Sequence, residues 1–255
     1  MTRTWGSAIL EVEQLAKELY GSHASTEVRG VIHVVSAVQA EDGRLHVIKI
    51  GPGAPKSSTD FFVLSFWRAH ADAILTSAQI MRAEPGLSHA LPEALTLYRE
   101  HVLQKTKLPH VAVLTRSGEL PESHRMWSDG ATHEVLTEPA RRARLEAALG
   151  ERATVTALDP IDPAAAIRRL RSLGHRTILV EAGPTVANRL YEPPPAVDHL
   201  FLSRCEAPVP PASVGNALAA TETLFAGLTR AARTPRDEES GRWVFERYDR
   251  MREQA

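Results

Sequence analysis

Apolar residues near the start of the chain follow a helical spacing. From Ile9 to Leu19 they recur mostly three or four positions apart, which places them on one face of a helix. Gly21 follows this run, and glycine is typical of a helix end. The pattern predicts an N-terminal helical extension over residues 1–28.

Beyond this helix, short apolar and β-branched runs alternate with helical patterns. The strands predicted from these runs are 31–38, 45–50, 73–76, 111–115, 133–137, 153–158, 177–181, 200–203 and 243–248. Helices are predicted over 60–70, capped by Asp60, and over 92–104, 139–149, 162–173 and 184–191. The polar stretch 230–242 has no such pattern and is expected to be mobile.

Strands that alternate with helices require crossover connections, because parallel neighbours cannot be joined by a tight turn. The alternation therefore predicts an α/β fold with a mostly parallel central sheet flanked by helices. No shift in composition marks a boundary, so residues 1–255 are expected to form a single domain.

The composition limits the kinds of binding partner that are expected. The chain has 255 residues and a formal net charge of −1, so no global basic field favours nucleic acid or an anionic membrane. Its single cysteine, Cys205, excludes an internal disulfide framework and suits a cytoplasmic location. No signal peptide, no apolar run of about 20 residues and no His-Glu-x-x-His motif is present. We expect a small-molecule partner and no metal.

The most informative strand end follows the apolar run 177–180. In open parallel sheets, ligands bind beyond the carboxyl ends of the strands. Small residues there allow close backbone approach, and a helix N-terminus offers free N–H groups to a diphosphate. The residues concerned are Glu181, Ala182, Gly183, Pro184 and Thr185. The alternative is an ordinary strand-to-helix turn with Thr185 as its cap.

Two further strand ends carry polar groups. Thr115, Arg116 and Ser117 place a guanidinium between two hydroxyls, a combination that suits phosphate. Thr76 and Ser77 end another strand before a polar turn. The alternatives are an exposed loop at the first position and one more crossover at the second.

Several segments together resemble one family. The stretch 57–85 (SSTDFFVLSFWRAHADAILTSAQIMRAEP) is similar to the reductase domain of riboflavin biosynthesis. Residues 108–121 resemble the central strand and loop of that family, 177–190 its Glu-Gly-Gly-Pro turn, and 197–200 its Val-Asp-Glu-Leu step. The resemblance extends over about residues 31–248.

The resemblance implies a dihydrofolate reductase-like fold, a homodimer and NADPH-dependent hydride transfer. The family reduces 5-amino-6-(5-phosphoribosylamino)uracil, so the expected substrate is a small heterocyclic or sugar-phosphate compound. The three strand ends would bind NADPH, with Arg116 favouring it over NADH. Ser36 and Arg82 are expected to contact the substrate, and Asp42 and Glu84 are candidate general acids. For both carboxylates the alternative is an exposed turn residue.

The sequence also departs from the family pattern. Residues 77–80 read Ser-Ala-Gln-Ile where the family has Gly-x-Gly-Thr, and Ala182 replaces the first glycine of a pair. An insertion separates Ser36 from Asp42 and Gly43, relative to Ser-x-Asp-Gly. The departures support an alternative function, namely a non-catalytic member of the fold that binds a ligand or partner.

Overall fold

All strands of the computed structural model lie in one sheet; the model describes residues 5–21, 28–51 and 53–251. The strands are β1 (Gly30–Gln39), β2 (Leu45–Ile48), β3 (Ala73–Ser77), β4 (His110–Leu114), β5 (His133–Thr137), β6 (Thr154–Ala157), β7 (Thr177–Val180), β8 (His199–Cys205), β9 (Val214–Ala217), β10 (Leu228–Glu238) and β11 (Gly241–Arg250). The helices are α1 (Trp5–Tyr20), α2 (Ser58–His70), α3 (Ala78–Ala83), α4 (Glu93–His101), α5 (Arg142–Leu149), α6 (Pro163–Ser172), α7 (Pro184–Ala187) and α8 (Thr221–Leu224).

The sheet is parallel through most of its width. Its order is β10-β11-β8-β1-β7-β3-β4-β5-β6, and β2 and β9 pair alongside the far end of β1. All pairs from β8 to β6 are parallel, whereas β11 is antiparallel to β8 and to β10. Strands β3, β5 and β7 are buried along their whole length, as expected for parallel strands covered on both faces. The predicted mostly parallel sheet is therefore confirmed.

Aromatic side chains fill the core on one face of the sheet. Phe66 and Trp67 of α2 pack with Phe201, Trp243 and Phe245 from β8 and β11. Helix α1 closes this layer with five buried side chains and packs against α4 and β10. The described part of the N-terminal extension, residues 5–21, therefore belongs to the core. The rest of the predicted extension, 1–4 and 22–27, lies outside the described residues.

The start of α2 corrects one prediction. Ser57, rather than Asp60, is the N-cap, because the Ser57 hydroxyl accepts from the Asp60 N–H at 2.8 Å. Asp60 lies in the first turn, which leaves its carboxylate free for another contact.

The prediction that residues 230–242 are mobile was wrong. They form most of a long hairpin, in which β10 pairs with β11 from Leu228 to Glu238. Strand β10 alternates partly buried and exposed residues, and its exposed positions are largely polar. Charged residues and Pro235 suit the outermost strand, since they disfavour pairing with another chain. Among the described helices, none is long and apolar enough to cross a membrane.

Candidate site at the carboxyl end of the sheet

The turns after β3 and β7 lie side by side. Leu75 of β3 pairs with Val180 of β7, and the Glu181 N–H donates to the Leu75 carbonyl at 2.9 Å. The register therefore brings the start of α3 against the start of α7. The predicted segments 76–77 and 181–185 consequently meet at one place.

Ile80 covers the turn at Gly183. A Cβ added to Gly183 would lie 3.7 Å from Ile80 Cδ1, which is ordinary van der Waals contact. Gly183 has a φ of −61°, so its backbone does not require glycine. At the start of α3, the Ser77 hydroxyl accepts from the Ile80 N–H at 3.4 Å. The substituted turn thus places an apolar side chain where the family has a threonine hydroxyl.

A buried ion pair supports this turn from below. Arg68 of α2 donates from Nε to Glu181 Oε1 at 2.7 Å and from Nη2 to Oε2 at 2.6 Å. The two side chains are 7% and 9% exposed. Burial raises the pKa of Glu181, but the charge and hydrogen bonds of Arg68 outweigh it, so the net shift is downward. Glu181 therefore stays ionised and fixes the turn to α2.

Glu84, a predicted general acid, lies near this pair. It ends α3, and its N–H donates to the Ile80 carbonyl at 2.8 Å. Burial and then the negative charge of Glu181 raise its pKa, although Arg68 partly offsets them. A carboxyl group with a raised pKa holds a proton more readily, as a general acid must.

Arg68 and His89 were missed as site residues by the sequence analysis. His89 is 2% exposed, and its Nε2 lies 3.7 Å from Glu181 Oε2. Burial lowers the pKa of His89 to about 4, so the ring is neutral. An arginine among the apolar residues of α2 was the available signal for Arg68, but nothing in the sequence pairs it with Glu181.

Ser36 contacts a second carboxylate that the sequence analysis did not assign to a site. Its hydroxyl lies 2.7 Å from both carboxylate oxygens of Asp60. Burial raises the pKa of Asp60, and the hydrogen bond from Ser36 opposes that shift. His33 of β1 pairs with Val180, the last residue of β7. Ser36 is three residues further along β1, so it lies roughly 10 Å beyond the point where β7 ends.

Asp42 lies apart from Glu84. It is in the turn between β1 and β2, and Gln39, where β1 ends, is already roughly 20 Å beyond His33 along the strand. Its carboxylate accepts from the Arg44 N–H at 2.9 Å and pairs with His46 at 3.0 Å, and these bonds lower its pKa. The two predicted general acids therefore do not form one acid pair.

The loop after β4 has mostly internal contacts. Thr115 is buried, and its hydroxyl accepts from the Gly118 N–H at 3.1 Å; that of Ser117 accepts from the Glu119 N–H at 3.2 Å. Arg82, a predicted substrate residue, instead donates to the Glu119 carbonyl at 2.5 Å and ties α3 to this loop.

The other predicted site residues differ in how much of each side chain is exposed to solvent. Arg116 is exposed and its Nε lies 3.7 Å from Glu138 Oε1. Thr76 is fully buried, and its hydroxyl has no hydrogen-bond partner among the described residues. Pro184 is buried, Ala182 is partly buried and Thr185 is exposed. Only part of the predicted set therefore faces solvent at this end of the sheet.

Two features at this end of the sheet suit the phosphates of a dinucleotide. The turn at Gly183 presents backbone without a bulky side chain of its own, and Arg116 follows a strand two places away, roughly 10 Å across the sheet. Ile80 borders the turn, since a Cβ added to Gly183 would lie 3.7 Å from Ile80 Cδ1. Within the described residues, no group of three or more His, Cys, Asp or Glu could hold a metal ion.

These features define an α/β protein with a candidate ligand site at the carboxyl end of a parallel sheet. The model of the RibD C-terminal domain family matches residues 35–199, more than half of the chain. The chain therefore belongs to the RibD C-terminal domain family. No curated protein matches it.

Solved structures agree with this assignment at the level of fold. A pyrimidine reductase-like protein from Corynebacterium diphtheriae is 20% identical in sequence. The match covers 94% of this chain and 99% of that protein, with a TM-score of 0.67. RibD from Acinetobacter baumannii is 16% identical over 91% of this chain and 60% of its own, with a TM-score of 0.61. Riboflavin biosynthesis reductase Rib7 from Saccharomyces cerevisiae is 14% identical in sequence. The match covers 92% of this chain and 97% of the Rib7 chain, with a TM-score of 0.55. The predicted dihydrofolate reductase-like fold is confirmed.

Proposed function

We propose that this RibD-like protein is an NADPH-dependent reductase of a small heterocyclic or sugar-phosphate substrate. One observation carries the proposal: the Arg68–Glu181 pair fixes the turn after β7 beside α3, at the end of the sheet where ligands bind. Family membership and the structural similarity to a pyrimidine reductase-like protein support the same reading.

The residues of the chain would share the work with the cofactor. NADPH, when bound, supplies the hydride. Gly183 and its neighbours would hold the diphosphate, and Arg116 the 2′-phosphate. Glu84, with its raised pKa, would retain a proton at its carboxyl group near the reacting end of the site. Asp60 and Ser36 offer a carboxylate and a hydroxyl to polar atoms of a substrate.

A binding and turnover experiment tests the proposal. We expect NADPH to bind the purified chain, followed by cofactor fluorescence or calorimetry. The 5-amino-6-(5-phosphoribosylamino)uracil substrate should then cause NADPH oxidation, measured by absorbance. Glu84→Gln should lower kcat while leaving the Kd of NADPH unchanged. Absence of NADPH binding in a folded sample would contradict the proposal.

A second function is favoured by a different observation. Ile80 covers Gly183, and Ser77 is buried where the family has glycine. A protein with these substitutions suits a ligand- or partner-binding role without catalysis. Binding of the pyrimidine substrate with neither NADPH nor NADH binding would support this alternative.

We further propose a cytoplasmic homodimer, as the family resemblance implies. The edge of the sheet at β10 is not expected to form the dimer contact, because Pro235 and the charged residues of this outermost strand disfavour pairing with another chain. Light scattering at micromolar concentration should give twice the 28.0 kDa mass of the chain. A monomer mass would contradict this assembly.

A further inference from the structure

A cleft opens beyond the carboxyl ends of β4, β5 and β6. Its volume is about 440 Å³. Apolar walls come from Pro139, Leu158, Pro160 and Ile161, which suit a flat ring. Its charged groups are Arg116, Glu138 and Asp159. The cleft, termed here the β4–β6 cleft, therefore combines one cation with two carboxylates.

The charge balance of this cleft is unusual for a phosphate site. Arg116 is 68% exposed and its Nε lies 3.7 Å from Glu138 Oε1, so its charge is partly offset before any ligand binds. Glu138 makes no side-chain capping bond to the short helical turn that follows it, which leaves its carboxylate available to the cleft. Each added carboxylate opposes a dianionic phosphate.

Arg116 and Glu138 would favour different forms of the cofactor ribose, one with a 2′-phosphate and one with a free 2′-hydroxyl. A carboxylate accepts hydrogen bonds from ribose hydroxyls, whereas an arginine accommodates a 2′-phosphate. Arg116 and Glu138 follow neighbouring strands, and both line the β4–β6 cleft. A single bound ribose would therefore meet both side chains at once.

We propose that Glu138 is a specificity-determining residue that opposes the 2′-phosphate and limits the preference for NADPH set by Arg116. The inference rests on the proposed function, since it concerns the cofactor of that same site. It makes discrimination between NADPH and NADH a property of the Arg116–Glu138 pair rather than of Arg116 alone. Asp159, which follows β6 and lines the same cleft, adds a second negative charge that acts in the same direction.

A cofactor-binding cycle tests this inference without relying on turnover. The Kd values of NADPH and NADH are measured by calorimetry for the unaltered chain and for Glu138→Gln, Arg116→Ala and the double variant. The unaltered chain should prefer NADPH by no more than about tenfold. Glu138→Gln should raise the preference by roughly three- to tenfold, because a charge a few ångströms from a phosphate is removed. Arg116→Ala should reduce or invert it.

Controls separate a local charge effect from a general one. Glu151→Gln removes an exposed carboxylate beside Gly150, ahead of β6 at the opposite end of the sheet, and should leave the ratio unchanged. The effect of Glu138→Gln should shrink in 1 M salt, where the Debye length is about 3 Å. Circular dichroism checks that every variant is folded.

The outcomes distinguish two failures. If both cofactors bind and Glu138→Gln changes their Kd values by the same factor, Glu138 does not set specificity, and this inference is wrong while the proposed function stands. If neither cofactor binds the unaltered chain, the proposed function fails and the inference falls with it.

Discussion

Two arginine–glutamate pairs lie at the same end of the sheet but differ in their surroundings. Arg68 and Glu181 are almost fully buried and joined by two hydrogen bonds of 2.6–2.7 Å. Arg116 and Glu138 are 68% and 38% exposed, and their closest approach is 3.7 Å. The same chemical pair therefore occurs once inside the fold and once on its surface.

The difference assigns the pairs different roles. Breaking a buried pair leaves a charge without a partner or water, whereas an exposed pair is screened by solvent. Arg68 and Glu181 fix the geometry of the turn after β7, so their contribution is to stability and positioning. Arg116 and Glu138 remain open to a ligand and can change their partner at little cost to the fold.

The largest expected effect is the loss of the buried pair. Arg68→Met should lower the free energy of unfolding by about 3–5 kcal/mol, because Glu181 is left as an uncompensated buried charge. The matched substitution in the exposed pair, Arg116→Met, should cost less than about 1 kcal/mol. Urea unfolding of both variants measures the difference. Equal losses would show that burial does not separate the two pairs.

Substitution of Gly183 should weaken cofactor binding while the chain still folds. Gly183→Val places γ-carbons against Ile80, and overpacking of this kind costs about 1–3 kcal/mol. Backbone approach to a diphosphate should be blocked, so the Kd of NADPH should rise by about tenfold or more. Gly183→Ala, whose Cβ fits at 3.7 Å, is the control. Unchanged NADPH affinity in a folded Gly183→Val variant would remove this turn from the cofactor site.

Restoration of the family pattern should have a smaller, opposite effect. The combined variant Ser77→Gly, Gln79→Gly and Ile80→Thr should tighten NADPH binding several-fold. The two glycines remove side chains from the turn, and the threonine restores the hydroxyl of the family pattern. One unmade buried hydrogen bond corresponds to about 1–3 kcal/mol. The Ser77 hydroxyl also accepts from the Ile80 N–H, so some stability should be lost. A folded variant that binds NADPH no better would show that the turn does not contact the cofactor.

The sequence predicted the frame of the molecule better than its site. Buried parallel strands such as β3 and β7 are continuous apolar runs, so their existence follows from composition and spacing. Strand β10 was missed because it is the outermost strand and its exposed face is polar, which resembles a loop. Its strand conformation is supported by pairing with β11, which a local pattern does not reveal.

The candidate site shows the same limit. Glu181 and Gly183 were predicted because they directly follow an apolar strand. Arg68 precedes Glu181 by 113 positions, and only the packing of α2 against the sheet brings them together. Asp60 was interpreted as a helix cap, since an acidic residue at a helix start usually acts on its own backbone. Its contact with Ser36 depends on tertiary structure.

The smallest expected effect is a difference in pH dependence between two neighbouring carboxyl groups. The pKa of Glu181 is lowered in the folded chain, so its stabilisation is fully present above its ordinary value of 4.5 and is lost as pH falls through the folded value. The pKa of Glu84 is raised by burial and by Glu181, so its stabilisation is present below 4.5 and is lost as pH rises through the folded value. Glu84→Gln should therefore gain stability relative to the unaltered chain as pH rises from 4 toward neutrality, by far less than Arg68→Met loses. Urea unfolding across that range measures the difference, with Glu151→Gln as an exposed control. A stability difference that does not change with pH would mean that Glu84 does not hold a proton more tightly in the folded chain, and its candidacy as a general acid would lose its physical basis.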